Sequence, residues 1–307
     1  MKIIVRQISG LGNQMFQYAA GLYYARQYNA QMRMGIDPPQ NAVSYGHPRP
    51  FLLSHFAISA QHRELNRLER LMLLTEHRHL KPFAGAILQH GIFQHGLHLQ
   101  IVAESVEQRF RFQPVLPIGV KTETIYLVGY WQVYNIAERI AIDLKKEFSF
   151  REAPTGKNLE VLRLIQNTEN SVSLHIRRGD YTLAAEGNIA LPMEYYARAI
   201  AHIKGCVSKP TFFIFSDDIE FAKTKLGSEI AASFIDHNDS FSAHEDLRLM
   251  SSCRHHIIAN STFSWWGAWL SASANKMVFA PRNWMVGNCP HDNDLFPPSW
   301  RLLDGTP

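Results

Sequence analysis

Apolar Ile3, Ile4 and Val5, followed by Met15, Tyr18, Ala19, Leu22 and Tyr23 at helical spacing, predict a strand over residues 2–8, a glycine turn and a helix. A second strand is expected over Ala30–Asp37. Between Asn41 and His98 the pattern loosens, with prolines and histidines around a leucine-rich helix near Leu65–Leu74. Further strands are expected at Val106–Phe112 and Thr124–Tyr130, and the spacing of Ile136, Ile140 and Leu144 predicts a helix over Tyr134–Phe148.

The polar stretch Arg151-Glu152-Ala153-Pro154-Thr155-Gly156 suits a linker, which places a domain boundary there and gives domains 1–150 and 151–307. After it, strands at 171–177, 211–215, 232–236, 256–259 and 276–280 alternate with helices at 192–204, 219–226, 243–253 and 264–272. Alternation of this kind predicts an α/β domain with a parallel sheet covered by helices. Pro192 suits a helix start and Gly205 a helix stop.

Composition narrows the classes. The 307 residues are 46% hydrophobic and 19% charged, an ordinary globular balance. A formal charge of +4 with a pI near 8.9 suits an anionic substrate or a peripheral membrane contact, and the scattered basic residues leave no nucleic-acid footprint. Cys206, Cys253 and Cys289 are odd in number and far apart, so neither a disulfide framework nor a zinc clip is expected. No charged n-region and apolar core follow Met1, and no apolar run approaches the roughly 18 residues that span a bilayer. The expected location is cytoplasmic, with a peripheral membrane contact left open.

The candidate chemistry gathers at strand ends. In Ser173-Leu174-His175-Ile176-Arg177-Arg178-Gly179-Asp180-Tyr181, period-two alternation puts His175 and Arg177 on one face and Val172, Leu174 and Ile176 on the other. Gly179 allows a turn, and Asp180 is expected to hold one arginine in a fixed rotamer. The next strand ends in Ser216-Asp217-Asp218, and another in Asn260-Ser261-Thr262-Phe263-Ser264, which runs into the helix carrying Trp265, Trp266 and Trp269. Ligands of open parallel sheets bind beyond the carboxyl ends of the strands, and a helix N-terminus there favours phosphate. Taken singly, the arginine cluster also reads as a surface turn, and Asp217-Asp218 and Asn260–Ser264 as helix caps.

Other chemistries fit less well. Gly10-Leu11-Gly12-Asn13-Gln14-Met15 has Met15 where a dinucleotide fingerprint needs its third glycine, although Asp37 stands where a ribose-binding acid would fall. His77, His79, His90, His95, His255 and His256 show neither HExxH spacing nor a cysteine partner, so no metal site is assigned. There is no GxSxG elbow, P-loop or SxxK motif. The helix bearing Arg63, Arg67 and Arg70 reads as core-facing and amphipathic, with a membrane-surface helix as the lesser alternative. A nucleotide-binding transferase remains. A non-catalytic nucleotide-sugar or glycan-binding module and a nicotinamide oxidoreductase stay as alternatives.

Five motifs then occur in order: GLGNQMFQYA (Gly10–Ala19), GYWQ (Gly129–Gln132), HIRRGDY (His175–Tyr181), FSDD (Phe215–Asp218) and NSTFSWWGAWL (Asn260–Leu270). Together they resemble the bacterial α-1,2-fucosyltransferases of glycosyltransferase family 11. The resemblance implies a GT-B-type fold of two Rossmann-like domains facing a cleft, with an N-terminal acceptor-side domain and a C-terminal domain that holds GDP-fucose. It also implies inverting, metal-independent transfer of L-fucose to O2 of a terminal β-galactoside, without a cofactor, in surface polysaccharide or O-antigen synthesis. Arg177 and His175 match its catalytic motif. Gly12, Asn13, Arg178, Asp180, Ser216, Asp217, Asp246, Ser261, Thr262 and Phe263 are the implied donor-binding residues. After GYWQ this chain continues Val133-Tyr134-Asn135, where the family often has Ser-Glu-Lys, which leaves acceptor preference open.

Overall fold

The computed structural model of the chain describes residues 1–38, 43–44, 47–73, 98–105, 108–179, 181, 189–227, 230–285 and 294–304. Asp180, Cys289 and the histidines at 77, 79, 90 and 95 lie outside the described residues. Two compact units, Met1–Phe148 and Ser149–Pro307, make up the chain. Among the described residues no helix is long and apolar enough to cross a membrane.

The first unit runs β1 (Lys2–Gln7), α1 (Leu11–Gln27), β2 (Gln31–Ile36), the short hairpin β3 (Val43–Ser44) and β4 (His47–Pro48), then β5 (Gln61–Glu64) and α2 (Arg67–Leu73). It continues with β6 (Leu99–Ala103), β7 (Thr124–Val128), α3 (Tyr134–Arg139) and α4 (Ala141–Glu147). Its sheet has the order β5-β2-β1-β7-β6, and every pairing is parallel. Apart from Lys2, the residues of β1 are buried, the apolar Ile3, Ile4 and Val5 together with the polar Arg6 and Gln7. Helix α1 lies close on the sheet through Gly21: a Cβ there would come within 2.3 Å of the Val5 side chain and 2.7 Å of Met32.

Two expectations in this unit need correction. The strand expected at Val106–Phe112 lies instead at Leu99–Ala103, where Leu99, Ile101 and Val102 pair along β7. Gln108–Phe110 form a turn, and Phe110 at φ 61° cannot continue an extended run. The helix expected over Tyr134–Phe148 is broken at Ile140, whose φ −122° and ψ 30° leave the helical region. Ile136, Ile140 and Leu144 stay buried on both sides of that break, so the apolar spacing carries no sign of it.

The second unit begins with α5 (Gly156–Asn167), a helix hidden behind the polar linker, and continues β8 (Ser171–Ile176), α6 (Met193–Cys206), β9 (Thr211–Ser216), α7 (Ile219–Leu226) and β10 (Ala232–Ile235). Then come α8 (Ala243–Ser252), β11 (His255–Ile257), α9 (Thr262–Leu270), β12 (Val278–Pro281) and the unanticipated β13 (Arg301–Leu303). Pro192 is the N-cap of α6, and the helix runs through Gly205 to Cys206. The sheet order is β10-β9-β8-β11-β12-β13, again wholly parallel. Counted within the unit this is the Rossmann order, with its reversal between β8 and β11. Each unit is therefore a Rossmann-like α/β layer, the pairing that defines the GT-B class.

Strand β8 is buried along its whole length. Val172, Leu174 and Ile176 join one apolar cluster with Tyr195, Ile203, Phe212 and Ile214, while Phe213 and Phe215 pack on the other side with Ile165, Leu249 and Met250. The polar side chains on that second side meet in pairs: Ser173 Oγ lies 2.8 Å from His256 Nδ1 and His175 Nδ1 lies 2.9 Å from Ser264 Oγ.

Candidate active site

A parallel sheet leaves a crevice at its carboxyl edge where the strand order reverses. In the second unit that edge carries the end of β8, with Arg177 and Arg178, beside the end of β11, with Asn260 and the start of α9. The His175–Ser264 contact crosses this reversal. The Tyr181 hydroxyl donates to the Asn260 carbonyl at 3.1 Å, and the Arg177 guanidinium lies 5.4 Å from the Tyr181 ring centroid. Arg177, the strand end and the helix start thus converge.

Each arginine has its own carboxylate, supplied by the segment that follows the neighbouring strand β9. Arg177 Nη1 is 3.0 Å from Asp217 Oδ2, and the Arg178 backbone N–H donates to Asp217 Oδ1 at 2.8 Å. Arg178 Nε reaches Asp218 Oδ2 at 3.3 Å while its guanidinium stacks on Phe221, 3.6 Å from the ring centroid. Asp218 also caps α7 by accepting the Phe221 N–H, and the Asp218 N–H donates to Ser216 Oγ at 3.0 Å. The helix-cap reading of Asp218 thus holds, together with an ion pair.

His175 is 5% exposed, and burial together with the Arg177 charge pushes its imidazole down to about 3. A neutral ring locked onto Ser264, with its face edge-on to Phe263 at 5.9 Å, has little capacity to move a proton near neutral pH. Ser261 is the N-cap of α9, and its carbonyl accepts from the Trp265 N–H and the Ser264 hydroxyl. Thr262 and Phe263 open the helix, where first-turn N–H groups have no intrahelical acceptor. Burial raises the carboxyl of Asp246, in the first turn of α8, to about 7, although Asn238 donates to it at 2.7 Å and so works in the opposite direction.

The first unit has a matching arrangement. Its sheet order reverses between β1 and β7, and the two strands lead into GLGN and GYWQ. Gln132 Nε2 donates to Asn13 Oδ1 at 2.8 Å, and Asn13 Nδ2 donates to Ser9 Oγ at 3.0 Å. Gly12 is buried in the first turn of α1. Ser9 (φ 67°) and Trp131 (φ 54°) adopt left-handed backbone in these two loops, a costly conformation for residues other than glycine. The Glu104 carboxylate pins the second loop by accepting the N–H groups of Tyr130 at 2.9 Å and Trp131 at 3.2 Å. Asp37, the ribose-binding candidate, is instead paired with Arg6 at 3.2 Å, and Met15 is fully buried.

The profile described as Glycosyl transferase family 11 matches residues 54–304, most of the chain and both units. The chain belongs to glycosyl transferase family 11. Similar proteins within reach of this family 11 chain include the O-antigen biosynthesis glycosyltransferase WbnK of Escherichia coli, 29% identical over 294 residues, covering 91% of this chain and 93% of the relative. An alpha-1,2-colitosyltransferase of Escherichia coli is 28% identical over 324 residues, covering 98% and 99%. Among solved structures, the NodZ alpha-1,6-fucosyltransferase soaked with GDP-fucose superposes with a TM-score of 0.50 at 16% identity, over 88% of this chain and 92% of that one. That last likeness speaks for the fold.

Glu104, Ser264 and Gln132 were absent from the residues that the family 11 motifs single out as binding groups. Gln132 and Ser264 lie inside quoted motifs, so their position was visible; Glu104 carries no local signal, because its role depends on β6 lying beside β7.

Proposed function

We propose that the protein transfers L-fucose from GDP-β-L-fucose to O2 of a terminal β-galactoside, with inversion and without a divalent metal, in bacterial surface-polysaccharide synthesis. In this reading the donor's diphosphate lies at the β8–β11 edge of the second unit. The acceptor O2 attacks C1 of the sugar from the face opposite the diphosphate. The C1–O bond breaks, its electron pair leaves with GDP, and the O2 proton is released. An oxocarbenium-like transition state asks little of a base.

The observation that carries the reading is Arg177 at the end of β8, held by Asp217 beside the N-terminus of α9. Negative charge grows on the β-phosphate as GDP departs, and a pre-oriented guanidinium fork with first-turn amides from Thr262 and Phe263 can meet it without reorganising. Arg178, Ser216, Ser261 and Asp246 complete the donor contacts of this unit, with Asp246 assigned to guanine; Gly12 and Asn13 are assigned donor contacts through their match to the family motif. His175 becomes a positioning residue for Ser264 and the helix start, because it is buried and neutral.

The colitosyltransferase similarity across 98% of the chain favours a second donor, GDP-L-colitose, whose sugar is fucose without its 3-hydroxyl. Both donors should be offered with lactose, lacto-N-biose and Galβ1,3GalNAc, and the products read by mass and linkage analysis. A deoxyhexose on galactose O2 from either donor supports transfer to that position, and the ratio of the two rates names the donor. GDP binding without any transfer would favour a binding module, and thermal stabilisation by NAD but not GDP would overturn the assignment.

A further inference from the structure

Resting on the reading of Arg177 as the diphosphate group, we propose that Asp217 is a positioning residue that acts through Arg177 and makes no donor contact of its own. One carboxylate touches three successive residues where β8 gives way to its loop. Oδ2 takes Arg177 Nη1 at 3.0 Å, Oδ1 accepts the Arg178 backbone N–H at 2.8 Å, and the chain at Gly179 passes so close that a Cβ there would lie 2.6 Å from Oδ2. The buried Tyr196 hydroxyl lies near the Arg177 backbone.

This arrangement follows from the sheet. The parallel register sets Ile176 opposite Ser216, so the residue after each strand end meets its counterpart across the same edge. Asp217 therefore reaches both the side chain and the backbone of the loop, whereas the ladder that fixes residues 171–176 stops before Arg177. A long side chain loses rotamer freedom when it binds, and a carboxylate that has already fixed it removes part of that loss. A bare carboxylate beside a diphosphate would act in the opposite sense, by repulsion. The two roles predict opposite signs, which makes the proposal decidable.

The experiment is a double-mutant cycle read by calorimetric titration of GDP into the full chain: wild type, Asp217→Ala, Arg177→Ala and both together, with thermal unfolding of each. If Asp217 works through Arg177, its loss weakens GDP by about 10-fold when Arg177 is present and by less than about 2-fold when it is absent. Asp217→Asn, which keeps an acceptor for the Arg178 N–H but not the charge, falls between, and it completes the cycle should the alanine variant not fold. Equal losses in the two backgrounds would show direct contact or general structure, and tighter binding would show repulsion; either overturns the proposal. Unchanged GDP affinity in Arg177→Ala would overturn the underlying reading as well, whereas a large loss there with an additive Asp217 effect defeats this inference alone.

Discussion

The Gln132 amide donates to the Asn13 carboxamide oxygen at 2.8 Å and ties the turn after β7 to the first turn of α1. The contact crosses the strand-order reversal of the first unit just as His175–Ser264 crosses that of the second. In both units, then, two motifs far apart in sequence are bolted together by one polar pair at the edge where α/β sheets bind ligands.

Removing either end of the first pair should act on the same element. Asn13→Ala and Gln132→Ala are each expected to lower kcat/KM for the sugar donor by about 10-fold, with the double variant little worse than the more affected single one. Steady-state kinetics on the three variants checks this, and independent, multiplying effects would contradict a shared role.

Glu69 is a structural charge of the first unit. It is buried, pairs with Arg63, accepts the Asn66 N–H at 2.9 Å and receives the Tyr126 hydroxyl. The Arg63 hydrogen bonds, against an opposing burial effect, hold its carboxyl down to about 2 from an ordinary 4.5. Its stabilising contribution is complete above 4.5 and is lost as pH falls from there toward 2. Glu69→Gln should destabilise the chain by about 1–3 kcal/mol at neutral pH and flatten its acid sensitivity in denaturant titrations.

Acid should also act through His175. The folded chain excludes a proton from this ring down to about 3, whereas an ordinary imidazole takes it up near 6.5. Stability is thus full above 6.5 and falls as pH drops toward 3. His175→Asn, which can still bond Ser264, should show a shallower decline over that window. His256, shifted in the same direction, is present in both chains, so their difference isolates His175.

Asp246 gives a pH signature of nucleotide binding. As a guanine acceptor it must be ionised, and its carboxyl sits at about 7. GDP affinity should therefore rise as pH passes from about 6 to about 8, with the dependence absent in Asp246→Asn. Titrations at several pH values decide it, and a flat wild-type profile would remove Asp246 from base recognition.

Much of this arrangement was legible in the sequence for a physical reason. Buried parallel strands flanked by polar clusters show as Val172, Leu174 and Ile176 alternating with Ser173 and His175, then Arg177 and Arg178. What stayed hidden depends on neighbours distant along the chain. Asp180, expected to hold one of the arginines, lies outside the described residues, and the carboxylates of Asp217 and Asp218 reach the two arginines through the register of β8 against β9, which local sequence does not show. The shift of a strand to Leu99–Ala103 likewise reflects pairing with β7, and α5 was missed because its polar start continues the linker's composition.

The account stands on Arg177 neutralising the departing GDP without a metal, and the most direct measurement is the transfer rate in excess chelator for the wild type and Arg177→Lys. The prediction is an unchanged wild-type rate and a loss of about 100-fold or more in the lysine variant, whose point charge cannot form the fork. A near-normal lysine variant, or wild-type activity that vanishes with chelator and returns with magnesium, would contradict it.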